Sequence, residues 1–392
     1  MVSRRMAIAG GTGAALMAAL GYRAWDRGVF AGASGDAYDP WKHWRGSDLD
    51  GKRRPLRAAI LAANPHDTQP WIFEASDSAI KVIADRSRNL GTFDPFRREM
   101  QLGLGCAIEN LVRAANVFGI ATYVRAEEGK LILSPGPQPV TVAHITLDTG
   151  VPVRDELFEA IPLRHTNRGP YLDKKVAPQT MAELVKLAST SDVSVVLFSD
   201  GGARKEMSAL VVEATEHIIS DTAMSLDSYR WMRTGRGEVE QHRDGVTIDT
   251  SGTSKWLTLG GKLMPDLSAS TTDQYWLGMT RDTHTATAPM FGMILVRDRL
   301  DMAQSIAAGR AWQKLHLAAT LRGLVAQPLN QPVEMVDRNQ MLGKADTFKP
   351  ALAKLARLDG WEPTFVFRMG YADHAAPPSP RRALEDVLVQ RA

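Results

Sequence analysis

One helical pattern occurs twice in this chain. It runs Gly105-x-Ala107-x3-Leu111-x2-Ala114-Ala115-x3-Gly119, and again Gly309-x-Ala311-x3-Leu315-x2-Ala318-Ala319-x3-Gly323, offset by 204 residues at all six matched positions. In the first copy Leu104, Ala107, Ile108, Leu111, Ala114, Ala115 and Phe118 fall on one helical stripe. Glycine and alanine on such a stripe let two backbones approach closely. The repeat therefore predicts two related halves packed helix to helix, with any site between them built from both.

At 392 residues the chain is long enough for one large core or two fused domains. A hydrophobic content of 44% and a charged content of 23% are globular values and exclude a disordered chain. The net charge of +3 resides entirely in residues 1–33, where Arg4, Arg5, Arg23 and Arg27 face Asp26 alone. The remainder is balanced, so the charge argument for nucleic-acid binding falls away. Cys106 is the only cysteine, which excludes an intrachain disulfide and a cysteine-rich metal site. On the repeat helix it reads as a small core residue.

Ser3-Arg4-Arg5 precedes Met6–Tyr22, a stretch without charge and rich in glycine and alanine. Paired arginines ahead of a weakly apolar segment resemble a twin-arginine export signal, with Ala31-Gly32-Ala33 as a small-residue cleavage site. Residues 1–33 are thus expected to be an export signal or an uncleaved anchor. That places the protein in the periplasm, or on a membrane through this segment. Gly10-Gly11-Thr12-Gly13 is no dinucleotide fingerprint, because no strand precedes it.

Beyond the signal, residues 34–150 form the first predicted half and 151–392 the second. Tyr38–Trp44 reads as a surface-docking lead-in. Arg57–Ala63 reads as a helix ended by Asn64-Pro65. Strands are expected at Trp71–Ala75, Ile80–Ala84, Ala121–Arg125, Leu131–Leu133, Val140–Thr146, Val193–Phe198, Met290–Arg297 and Thr364–Met369. Helices are expected at Glu156–Leu163, Pro178–Ala188 and Lys205–Thr222, besides the repeat pair. Residues 223–288 hold seven glycines together with Trp231, Trp256 and Trp276. They read as an inserted lid lying over something apolar. Strands and helices mix without strict alternation, which predicts an α+β fold.

Three short segments could carry chemistry. Asn64-Pro65-His66-Asp67-Thr68-Gln69-Pro70-Trp71 is a polar turn that could offer amides to a ligand edge, or be an ordinary helix-to-strand connection. Arg164-His165-Thr166-Asn167-Arg168 sets two guanidinium groups around a hydroxyl, as an anion cradle or a solvated basic face. Arg381-Arg382 reads on its own as a solvated tail. His66, His165, His217 and His316 lack metal-ligand spacing, so no metal is expected.

Together these segments resemble the flavin-dependent nitroreductase superfamily, in its Acg-like branch, which fuses two nitroreductase halves in one chain. Asn64–Trp71 is similar to that branch's loop. Asp85-Arg86, Arg88-Asn89-Leu90, Asp94-Pro95 and Arg97-Arg98-Glu99 are similar to the region that follows it. Arg164-x-Thr166-x-Arg168 resembles the Arg-x-Ser-x-Arg element, and Gly370-Tyr371 with Pro380-Arg381-Arg382 the closing segment. The resemblance implies a nitroreductase-like fold whose two fused halves mimic the family homodimer, and one FMN at their interface. It implies that Arg164, Thr166, Arg168 and Arg382 hold the phosphate and ribityl chain. It implies that Asn64, Pro65, His66, Asp67 and Gln69 line the ring and ribityl side. One chain then completes one site, so a monomer is expected.

The activity implied is two-electron reduction of a small-molecule acceptor, such as a quinone or nitroaromatic compound, with NAD(P)H as a candidate donor. A flavin-binding or flavin-sequestering protein without turnover is the second reading. A membrane-associated interaction protein with a vestigial pocket is the third. Asp67 departs from the asparagine usual at that place. An ionised carboxylate only accepts hydrogen bonds, so Asp67 must be protonated, face N–H donors, or weaken FMN binding. Its charge near the ring would also disfavour the anionic reduced flavin.

Overall fold

The computed structural model describes residues 17–49, 51–133 and 136–390. Arg4, Arg5 and the first part of the uncharged stretch lie outside the described residues. Strands β1 (Trp71–Ala75) and β2 (Ala79–Ala84) form an antiparallel hairpin through Asp77-Ser78. Their alternation sends Trp71, Phe73 and Ala75, then Ile80, Val82 and Ala84, inward. With β3 (Ile120–Ala126), β4 (Val140–Thr149) and β11 (Leu388–Gln390) they make one sheet of order β11-β1-β2-β4-β3. The final strand pairs parallel to β1, with Phe73 opposite Leu388, so the C-terminal segment returns to the first sheet.

The second sheet holds β5 (Ser194–Phe198), β8 (Met290–Val296), β9 (Val325–Pro328) and β10 (Glu362–Gly370) in the order β5-β8-β10-β9, antiparallel throughout. Every residue of β8 is buried, as its continuous apolar run requires for a central strand covered on both faces.

The two repeat helices are α2 (Arg98–Val117) and α10 (Met302–Leu321). They pack on each other while α2 touches the first sheet and α10 the second. The glycines mark the closest approach. A Cβ added to Gly105 would lie 2.2 Å from the carbonyl oxygen of Ile306, and one added to Gly309 would lie 2.0 Å from that of Leu102. The Cys106 thiol donates to the Gly309 carbonyl at 3.2 Å. Beside this apolar contact, Gln313 Nε2 donates to Asn110 Oδ1 at 2.8 Å and Arg310 Nε to Glu109 Oε2 at 3.0 Å. The repeat was thus readable as a packing instruction, and the fold is α+β.

The other helices are α1 (Pro55–Ala59), α3 (Glu156–Glu159), α4 (Pro178–Ala188), α5 (Gly201–Ser220), α11 (Gln331–Leu342) and α12 (Phe348–Ala356). The insert carries α6 (Thr222–Tyr229), α7 (Arg236–His242), α8 (Lys255–Leu263) and α9 (Ala269–Met279). It also carries a two-stranded parallel ribbon of β6 (Met232–Arg233) and β7 (Val246–Thr247). The strand expected at Leu131–Leu133 is instead a 3-10 turn. Three apolar residues in a row satisfy a strand pattern, but among the described residues no strand pairs with them. Helix α1 is shorter than Arg57–Ala63: it starts at Pro55, whose fixed φ suits a first turn, and gives way to turns after Ala59. The lead-in is not a surface feature throughout, because Tyr38 is buried and Trp41 packs against His165.

Candidate functional site

Asn64–Gln69 leaves the end of the α1 segment in a tight coil. His66, Asp67 and Gln69 have φ of 47°, 54° and 48°, a left-handed region that non-glycine residues avoid. Three such residues in one loop cost roughly 1–3 kcal/mol each and persist only where surrounding bonds fix them. Asn64 supplies two: its Oδ1 accepts from Gln69 N at 2.7 Å, and its Nδ2 donates to Asp67 Oδ1 at 3.2 Å. Gln69 Nε2 donates to the Arg243 carbonyl at 2.8 Å, and Gln69 Oε1 accepts from Arg382 N at 2.8 Å. Gly245 N donates to the Asp67 carbonyl at 3.2 Å. The loop is therefore clamped between the insert and the C-terminal segment.

The second segment follows the 3-10 turn Ile161–Leu163. Thr166 bridges to Ala326 beside β9, and this anchor directs Arg164 and Arg168 to the same side as the loop. Arg164 is buried, with Nη2 donating to the Leu61 carbonyl at 3.1 Å and Nε unbonded. Arg168 Nη1 donates to the Thr250 carbonyl at 3.1 Å. Among the described residues no carboxylate forms an ion pair with either arginine. Burial pulls the Arg164 guanidinium down to about 10, helped by the charge of Arg381. Burial followed by Arg164 and Arg381 also holds His165 neutral, at about 3.

Asn64, Asp67, Arg164, Thr166 and Arg168 line one cavity of about 50 Å³ that opens to solvent. That is smaller than the usual small-molecule site, roughly 300–1,000 Å³, so a ligand of cofactor size fits only if the surrounding segments part. Its far wall is Gly245, Val246 and Thr250 from the insert, with Pro377, Ser379 and Arg381 from the C-terminal segment. The insert does cover the site, but what it covers is polar rather than apolar.

Four expected residues stand elsewhere. Arg382 turns away, its Nη2 bonded to the Asp386 carbonyl at 3.0 Å, while the buried Arg381 faces the cavity. Pro65 packs toward α2 near Gly103. His66 Nε2 meets Ser228 Oγ at 3.0 Å and its ring stands edge-on to Phe93. Gln69 is buried among backbone groups and acts as a brace. The sequence reading also missed His165, Arg381 and the insert's Gly245–Thr250. For Arg381 a signal existed, because adjacent arginines after a proline leave the choice between them to backbone direction.

Asp67 Oδ1 accepts from Arg381 Nη1 at 2.5 Å, and its Oδ2 is buried without a partner. Of the three possibilities for this carboxylate, the structure shows it facing N–H donors, supplied by the protein itself. Burial nevertheless pushes the Asp67 carboxyl up to about 6, against the opposing pull of Arg381 and Asn64. With Asp67 ionised and matched to Arg381, Arg164 and Arg168 remain as about two uncompensated positive charges at one cavity. A buried cation without a counterion, with the half-buried Arg168 beside it, calls for an anionic ligand.

No family model matches the chain. Two Mycobacterium tuberculosis proteins match along nearly their whole lengths. One, named "Putative NAD(P)H nitroreductase Rv3131", is 24% identical over 87% of this chain and 92% of its own. The other, named in the same way for acg, is 22% identical over 86% of this chain and 95% of its own. These matches support the nitroreductase superfamily, and within it the Acg-like branch. Among solved structures, the FMN-dependent nitroreductase NfnB from Mycobacterium smegmatis in complex with NADPH overlaps 59% of this chain and 96% of its own, at 17% identity and a TM-score of 0.37. A nitroreductase NfnB from a Sphigopyxis strain overlaps 60% and 99%, at 15% identity and a TM-score of 0.39.

Proposed function

We propose that the chain is an FMN-binding oxidoreductase of nitroreductase type, with the flavin phosphate held at the Arg164–Arg168 cavity. The observation that carries this reading is the pair of arginines without carboxylate partners, one with a buried, unbonded Nε, at a cavity open to solvent. A phosphate dianion supplies the missing countercharge, and guanidinium groups bind it in bidentate fashion. Arg164, Thr166 and Arg168 would hold the phosphate, with Arg381 in place of Arg382. Asn64 and Asp67 would face the remainder of the cofactor. The near-whole-length match to proteins named as NAD(P)H nitroreductases supports the same reading.

When bound, FMN supplies reversible two-electron transfer to an acceptor of quinone or nitroaromatic type. The chain's own part is placement. The clamped loop fixes Asn64 and Asp67, while Gly245–Thr250 of the insert restrict water and ligand entry. The two sheets, each with its own repeat helix, then correspond to the two subunits of the family dimer, fused into one monomer. A flavin-sequestering protein without turnover is the second reading, favoured by the insert standing against the cavity. Export by the twin-arginine route remains part of the proposal, since it would take the folded protein away from cytoplasmic NAD(P)H.

Arg164→Ala tests the assignment. It should keep the fold and weaken FMN retention at least tenfold, because charge-assisted bonds contribute roughly 1.5–3 kcal/mol. Unchanged flavin content would remove the phosphate assignment. Anaerobic bleaching of the reconstituted protein by NADPH supports the reductase, and a flavin that stays oxidised supports the sequestering protein.

A further inference from the structure

Helix α8 of the insert is turned inside out. Its Trp256 and Leu257, and Met264 just past its end, are 83%, 65% and 60% exposed, with the exposed Gly260 between them. Its Lys262 points inward instead, where Nζ pairs with Asp249 at 2.8 Å and donates to the Gly28 carbonyl at 3.1 Å. An amphipathic helix of an isolated soluble domain has the reverse arrangement. Residues 17–26 form a second helix of the same kind, with Ala24 buried and Met17, Leu20, Tyr22 and Trp25 exposed; Phe30 follows at 88% exposure.

The two segments are joined. Arg23 Nε and Nη2 donate to the Leu263 and Met264 carbonyls at 2.7 and 2.6 Å, which closes the C-terminal end of α8. Arg27 pairs with Asp266 at 2.7 Å. Leu267, 49% exposed, continues the surface just beyond. Of 22 large apolar side chains exposed among the described residues, nine lie on these two segments. Singly exposed apolar residues need no explanation, but a joined cluster marks an interaction surface.

We propose that this surface docks on a lipid bilayer, with α8 and residues 17–30 lying together in the headgroup region. Two observations select lipid over a protein partner. In sequence, the patch follows directly on Met6–Tyr22, a run without charge. The patch is rich in tryptophan, tyrosine and phenylalanine, with Lys255 exposed at the start of α8, the composition of a membrane interface. No described helix is long and apolar enough to cross a membrane, which fits a surface-lying arrangement. The new element is the insert: the N-terminal segment alone would tether the chain, whereas α8 fixes how the body sits on the bilayer.

The test uses the full chain and vesicles of phosphatidylcholine with phosphatidylglycerol. Cys106 is buried, so a single environment-sensitive fluorophore can be placed through Trp256→Cys, or through Tyr123→Cys on β3 as a control 71% exposed. Vesicles should shift emission to the blue and brighten it several-fold at position 256 and leave position 123 unchanged. Separately, Trp256→Ser with Leu257→Ser should lower the vesicle partition constant at least tenfold. The proposal is overturned if position 256 stays aqueous while the chain sediments with vesicles, since the N-terminal segment then acts alone. It is equally overturned if vesicles do not bind, or if emission shifts with protein concentration in their absence, which would make a second copy the occupant.

Discussion

Asp67→Asn should make this protein more stable at pH 8, although it removes one partner of a buried ion pair. The Asp67 carboxyl stands at about 6 in the folded chain, because burial outweighs Arg381 and the Asn64 bond. In the unfolded chain it returns to roughly 3.9. A raised folded value means that the stabilising contribution is complete below about pH 4. It is lost as pH rises through 6 and is absent at pH 8. The difference of about two units corresponds to roughly 3 kcal/mol. Against this stands Arg381, and stripping a buried charge of its partner costs roughly 3–5 kcal/mol when nothing replaces it. Here much does: Arg381 Nη1 also donates to Ser379 Oγ at 2.6 Å and the Pro380 carbonyl at 2.8 Å, and Nη2 to the Ala62 carbonyl at 3.2 Å. Asparagine keeps an acceptor oxygen for it as well. The net gain is therefore placed at about 1–3 kcal/mol at pH 8, and near zero at pH 3.5, where wild-type Asp67 is already neutral. Urea denaturation at the two pH values measures it. A variant less stable than wild type at pH 8 would show that the ion pair outweighs burial, and the reasoning would fail. The same substitution removes a negative charge from the cavity. Even about 12 Å away, at an effective dielectric of about 20, that charge is worth roughly 1.4 kcal/mol, so FMN should bind about tenfold tighter.

Other outcomes follow from the same geometry. Gly309→Ala should abolish soluble folded protein or shift its melting transition down sharply, because the new Cβ meets backbone of α2, which cannot rotate away. Gly278→Ala, with nothing within 4 Å, should leave the transition unchanged or raise it in the same scanning calorimetry. Arg381→Ala should lower flavin retention after gel filtration, while Arg382→Ala should change it less than about threefold, since Arg382 faces away. Burial and then Glu99 raise the buried Glu334 carboxyl well above its ordinary value. The sign is again that stability is lost as pH rises, so Glu334→Gln should flatten the alkaline side of the stability profile measured by denaturation.

Much of this architecture was legible because local and global demands agree. The hairpin Trp71–Ala84 alternates, β8 is continuously apolar, and the small-residue repeat fixes where α2 and α10 touch. The insert was visible as an interruption, yet its helices were not. Its apolar residues face outward on α8, so a pattern sought for an inward face has no purchase there. The cavity was half legible. Arg164, Thr166, Arg168, Asn64 and Asp67 sit on segments whose local chemistry announces them. Arg381, by contrast, reaches the site only because β11 returns to β1, a pairing between residues more than 300 positions apart in sequence. His66 and Gln69 looked like ligand contacts, but the left-handed backbone of the loop turns them onto Ser228 and Arg243 instead. No periodicity in the sequence carries that information.

The central claim is that buried arginines grip a phosphate, and comparing FMN with riboflavin tests it most directly. The two share the ring and ribityl chain and differ in the dianion alone. Titration calorimetry on flavin-free protein should give FMN an affinity at least a hundredfold above that of riboflavin, or about 2.7 kcal/mol. Equal affinities would mean that the cationic cavity is not where the phosphate resides.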